Sequence, residues 1–156
     1  MNFKFAALIP ALLIVGCGAE KEFVVNSTTA SDFSYTMANQ PAVSVTVISD
    51  DNNFCDLTIF RGNVREGYSV TSEQQSSDEL SASCTWQGNY FVQSSKHPTK
   101  ASLTLQSIDA QSQIATFNVD LKLVNNKTLK DYFELENVQF TVSGSEFANL
   151  TTSPEA

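Results

Sequence analysis

Cys55 and Cys84 carry the plainest chemistry in this chain of 156 residues. Two thiols at that spacing suit a disulfide. The bridge would close a loop of about 30 residues and add roughly 3.5 kcal/mol of stability in the chain-entropy picture. A zinc site wants four ligands, and the single histidine, His97, cannot complete one with two cysteines. A nucleophilic cysteine wants a histidine and an acid beside it, and no motif directs them to Cys55 or Cys84. The pair is therefore read as a disulfide, which needs an oxidising compartment.

Three further groups could do chemistry. Asp50, Asp51, Asn52 and Asp56 set oxygen donors close together, as calcium requires with its 6–8 oxygen ligands. The EF-hand pattern fails, because the central glycine is missing and Arg61 stands where the closing glutamate would be. An acidic turn is the preferred reading, with Asp50, Asn52 and Asp56 as a calcium alternative. Trp86, Tyr90 and Phe91 could form an aromatic platform for a ligand such as a sugar. Core packing competes with it and is preferred, since strand aromatics usually fill interiors. His97 precedes Pro98 in a polar stretch, and no hydrolase or metalloprotease motif accompanies it. No cofactor is implied.

The amino terminus carries the most specific pattern. Lys4 is followed by an apolar run from Phe5 to Val15, then Ile14-Val15-Gly16-Cys17 closes it. The run is shorter than the about 20 residues a bilayer span needs, and Pro10 interrupts it. A basic start, a short apolar core and a small-residue exit describe a secretory signal peptide. Ile14 to Cys17 resembles the lipobox of bacterial lipoprotein precursors. The resemblance covers only this start. It implies cleavage before Cys17, acylation of that cysteine with chains such as palmitate, and an anchored protein. Gly18 after the cysteine implies sorting to the outer membrane. Ordinary cleavage after Ala19 is the competing reading.

Composition narrows the partners. Removing Lys4 with the leader takes the formal net charge from −8 to about −9. So acidic a chain is a poor nucleic-acid binder. The expected contacts are the membrane, through the lipid, and an envelope protein or glycan.

The elements that must position these residues follow a period of two. Val43, Val45 and Val47 alternate with polar residues, as do Cys55, Leu57 and Ile59, and the run from Ala115 to Leu123 is the clearest strand of all. Turn clusters such as Asp50-Asp51-Asn52-Asn53 and Asn125-Asn126-Lys127 separate the strands. Residues 128–136 are open: Thr128 and Asp131 resemble a capping box, but a strand is slightly preferred, with a bulge near Glu136-Asn137. The sequence predicts an all-β fold, a single small antiparallel β-sandwich or barrel-like domain behind a signal peptide and a polar tether. The expected bounds are 1–16 for the signal peptide, 17–40 for the lipidated cysteine and tether, 41–146 for the domain and 147–156 for a disordered tail. The expected role is binding or scaffolding in the cell envelope, from the periplasmic face of the outer membrane. The alternative is an envelope hydrolase acting on cell-wall or glycan substrates.

Overall fold

A computed structural model describes residues 22–32, 34–74 and 79–152. The signal peptide, Cys17 and the last four residues lie outside the described residues. The fold is all-β: one antiparallel sheet curls into a half-barrel. Its strands are β1 (Ser27–Ala30), β2 (Thr36–Met37), β3 (Gln40–Asp50), β4 (Asn53–Phe60), β5 (Ser69–Glu73), β6 (Leu80–Trp86), β7 (Asn89–Val92), β8 (Lys100–Asp109), β9 (Ile114–Asn125) and β10 (Tyr132–Ser143). A helix, α1 (Ser145–Thr151), follows. The strand order is β1-β3-β4-β6-β7-β9-β8-β5, with β10 added on β9 and β2 on β3.

Strand alternation builds the core. Side chains two apart share a face of the sheet. Val43, Val45 and Val47 of β3, Cys55, Leu57 and Ile59 of β4, and Leu80, Ala82 and Cys84 of β6 all face inward and are buried. Phe117, Val119, Leu121 and Leu123 do the same on β9, where Phe117 stacks on Phe140 of β10 with ring centroids 5.1 Å apart. The intervening Thr116, Asn118, Asp120 and Lys122 lie on the opposite, partly solvated face.

β9 is the hub of the sheet. β10 runs along one edge of it, from Tyr132 opposite Val124 to Ser143 opposite Ile114. The other edge is shared: β7 ends with Val92 opposite Val124, and β8 resumes with Lys100 opposite Lys122. Residues 93–99 leave the sheet between these two pieces. Gln93 uses that excursion to fill a gap. β7 pairs with β6 only through Ser83–Trp86, so it stops short of the first half of β6. There the Gln93 side-chain carbonyl accepts the Ala82 N–H at 2.7 Å, and its Nε2 donates to Ser72 Oγ of β5 at 3.0 Å. A side-chain amide thus stands where a peptide group would.

The fold is larger at both ends than the sequence predicts. Residues 23–32 and 34–40, expected in the tether, belong to the domain. Asn26 donates its backbone N–H to Ile48 O at 2.9 Å, and β1 pairs with β3 from Ser27 opposite Ile48 to Ala30 opposite Val45. Phe23 packs on Trp86 and Phe133, at 5.6 and 6.1 Å between centroids. These few apolar side chains find buried partners, which outweighs the polar composition around them. The expected disordered tail is also corrected over residues 147–152. Phe147 and Leu150 are buried, and α1 carries them into the core on one helical face. In the open segment 128–136, the structure has a turn and then a strand. Thr128 Oγ1 donates to Asp131 Oδ2 at 2.7 Å, β10 starts at Tyr132, and the register shifts between Leu135 and Val138.

Candidate functional site

The disulfide is built by register. Cys55 and Cys84 are directly opposed on β4 and β6, with Cα atoms 4.0 Å apart, and their sulfurs are bonded. Both residues are buried among the inward-facing side chains. Nothing in that position leaves a thiol for catalysis, so the bridge is a structural staple.

The sugar platform does not assemble. Trp86 and Phe91 face inward and meet Phe133, at 5.5 and 5.6 Å between centroids, while Phe23 covers Trp86. Tyr90 is the neighbour of Phe91 on one strand and so points to the opposite face, where it is exposed. The period of two separates Tyr90 from the other two rings. The four rings of Phe23, Trp86, Phe91 and Phe133 plug one end of the half-barrel.

The calcium alternative is divided in the same way. The Asp50 carboxylate accepts the Asn52 N–H at 3.0 Å and the Asn53 side-chain amide at 2.7 and 2.8 Å. The first of these is the bond of an Asx turn. Asp56 stands three residues along β4 from the turn, about 10 Å away at strand rise, and its Oδ1 accepts Thr46 Oγ1 at 2.6 Å. Among the described residues, no group of three or more His, Cys, Asp or Glu is placed to hold a metal ion. His97 is half-buried in the turn before β8, where its carbonyl accepts the Thr99 N–H at 2.7 Å.

One residue of consequence escaped the sequence reading. Arg61, in the 3-10 turn Arg61–Asn63 after β4, is only 8% exposed. One guanidinium nitrogen donates to Asn149 O at 2.6 Å and to Thr152 O at 3.1 Å, and the other to the carbonyls of Ser31 and Asp32. Burial pulls its pKa below the ordinary value, and Asp32 partly offsets that. The cation thus binds the last carbonyls of α1, which carry the negative end of the helix dipole. It also ties α1 to the chain leaving β1. Glu146 Oε2 accepts the Ala30 N–H at 2.6 Å, and Thr28 Oγ1 donates to Thr141 O of β10 at 2.7 Å. Together these bonds close the seam between β1 and β10. The available signal was the spacing of Phe147 and Leu150 behind Gly144, with Glu146 in the first turn.

Three surface cavities are lined by described residues. One lies beside Arg61 and is lined by Gln40, Pro41, Phe60 and Glu79 among others; the second follows the β1/β10 seam. The third lies over β8, β9 and β10, where Lys122 Nζ meets Glu134 Oε1 at 2.7 Å. In none of them do a nucleophile, a base and an orienting acid converge among the described residues. No family model matches the chain, and neither a curated protein nor a solved structure gives a significant match.

Proposed function

We propose that this chain is a membrane-anchored lipoprotein whose all-β domain serves a binding or scaffolding role in the cell envelope, at the outer membrane. The observation that carries the reading is Ile14-Val15-Gly16-Cys17 at the end of a short apolar run. Two features support it. The buried Cys55–Cys84 bridge fits a compartment where disulfides persist. The described residues begin at 22, five positions after Cys17. Anchoring by two or three acyl chains is effectively permanent, because each buried methylene contributes about 0.8 kcal/mol. The domain then works at one fixed address, as a binder or scaffold would.

The test is metabolic labelling with palmitate and fractionation of wild type and Cys17→Ser. Wild type should carry label and sediment with outer membranes. The variant should lose label and accumulate as precursor. An unmodified wild-type amino terminus at Glu20 would remove the reading.

A further inference from the structure

The strand directions gather one set of features at one end of the half-barrel. The turn between β3 and β4 at residues 51–52, the turn between β6 and β7 at 87–88, and the loop between β9 and β10 at 126–131 all lie there. So does the start of the described chain, because Phe23 sits on Trp86 and Phe133 and Asn26 bonds Ile48 at the close of β3. Cys17 precedes Phe23 by six residues, a reach of about 20 Å at full extension. A lipid on Cys17 therefore holds this end, and no other, near the bilayer.

Side chains at the same end suit that neighbour. Val24 is 53% exposed, Tyr90 44% and Leu129 45%. Leu129 and Tyr90 belong together, since Asn126 N donates to Tyr90 O at 3.0 Å and Leu129 N to Asn125 O at 3.0 Å. Leu129 also has a positive φ of 54°, in the left-handed region that costs a leucine energy. Folding in water gains nothing from a leucine there: it is exposed, and glycine would take that backbone more easily. Lys127 and Lys130 flank it. Tyrosine and lysine suit the headgroup layer, where a ring or an alkyl stem lies in the apolar boundary and the polar tip stays wet. Glu22, Asp50, Asp51 and Asp131 share this end, so attraction to anionic lipid does not drive the contact. Tyr35 and Ile114 are exposed at the opposite end. Apolar exposure alone therefore does not choose an end, whereas the position of the amino terminus does.

We propose that the anchored domain stands end-on against the lipid bilayer, with Leu129, Tyr90 and Val24 seated in the headgroup layer. This rests on the reading of Cys17 as the acylated residue. It fixes orientation: the β8–β9 turn and α1 face away from the membrane and are presented to partners.

The test uses full-length protein purified with its native amino terminus and reconstituted in phosphatidylcholine vesicles containing a brominated phospholipid. In a Trp86→Phe background, single tryptophans replace Leu129 or Gln111, the latter in the β8–β9 turn. Mass spectrometry of the amino-terminal peptide is run on the same samples. With acylated Cys17, the tryptophan at 129 should be strongly quenched and that at 111 should keep its emission. Hydrogen exchange on the unmutated protein is the second reading: amides of residues 126–131 should slow on vesicles while those of 110–113 do not. Acylated protein with neither effect, or with quenching at 111, overturns the orientation and leaves the anchor intact. An unacylated Cys17 overturns both.

Discussion

Arg61 donates to the carbonyl oxygen of Asn149 at 2.6 Å, joining positions 88 apart in the sequence. This bond and its three companions hold α1 over the β1/β10 seam. Hydrogen bonds to charged groups contribute about 1.5–3 kcal/mol each, and buried ones leave their acceptors unpaired when broken. Arg61→Ala should therefore lower stability by at least about 2 kcal/mol in denaturant melts. It should also expose residues 145–152 to proteolysis. Arg61→Lys should recover little, because a single ammonium cannot reproduce the planar fork. Full rescue by lysine would show that charge alone matters.

Replacing both Cys55 and Cys84 by alanine should cost about 2–5 kcal/mol, the usual loss for a native bridge in a small domain. Thiol labelling of the unfolded, unreduced protein should find neither residue reactive. Two labelled thiols in the mature domain would contradict the bridge.

The two faces of β9 should respond differently to truncation. Phe117 is fully buried against Phe140, so Phe117→Ala should cost about 3–5 kcal/mol. Asn118 exchanges only an exposed bond with Asn137 at 2.8 Å, and Asn118→Ala should stay within about 0.5–1 kcal/mol. Lys122→Ala should barely move the melting midpoint, since its bridge to Glu134 is solvated. Equal losses at 117 and 118 would mean that both faces are buried.

Acid should loosen the β8–β9 turn. Backbone and side-chain hydrogen bonds from Ser112, with a smaller one from the Gln111 N–H, hold the Asp109 carboxyl below its ordinary value of 3.8. A carboxylate depressed by folding stabilises fully above its unfolded pKa, and that contribution is lost as pH falls through the folded one. The difference in stability between wild type and Asp109→Ala should thus be constant well above the ordinary value of 3.8 and shrink as pH falls below it. A difference that grows in acid would reverse the assignment.

How much of this was legible depends on what kind of signal each residue gives. Ala115 to Leu123 announced itself by alternation, and the bulge near Glu136-Asn137 by a change of phase, because strand geometry writes a period of two into sequence. The Cys55–Cys84 pairing was legible by counting. Arg61 was not, since its four acceptors are backbone carbonyls that any residue supplies. Phe23 falls in the expected tether and Phe147 in the expected tail for a related reason: isolated aromatics in polar stretches have no period, and only the assembled half-barrel provides their contacts. Tyr90 and Phe91 were grouped by proximity in sequence, which a strand converts into opposite faces.

The amide of Gln93 between β6 and β5 has a consequence for how copies of this protein behave beside one another. An uncovered strand edge invites a second chain to pair with it and start a polymer. On β6 the Ala82 N–H that such a chain would need is already taken by Gln93. Wherever two copies meet, this side chain is a stopper against strand pairing at that position. Gln93→Leu, which removes the stopper and leaves the strand, is the change that would turn neighbours into templates.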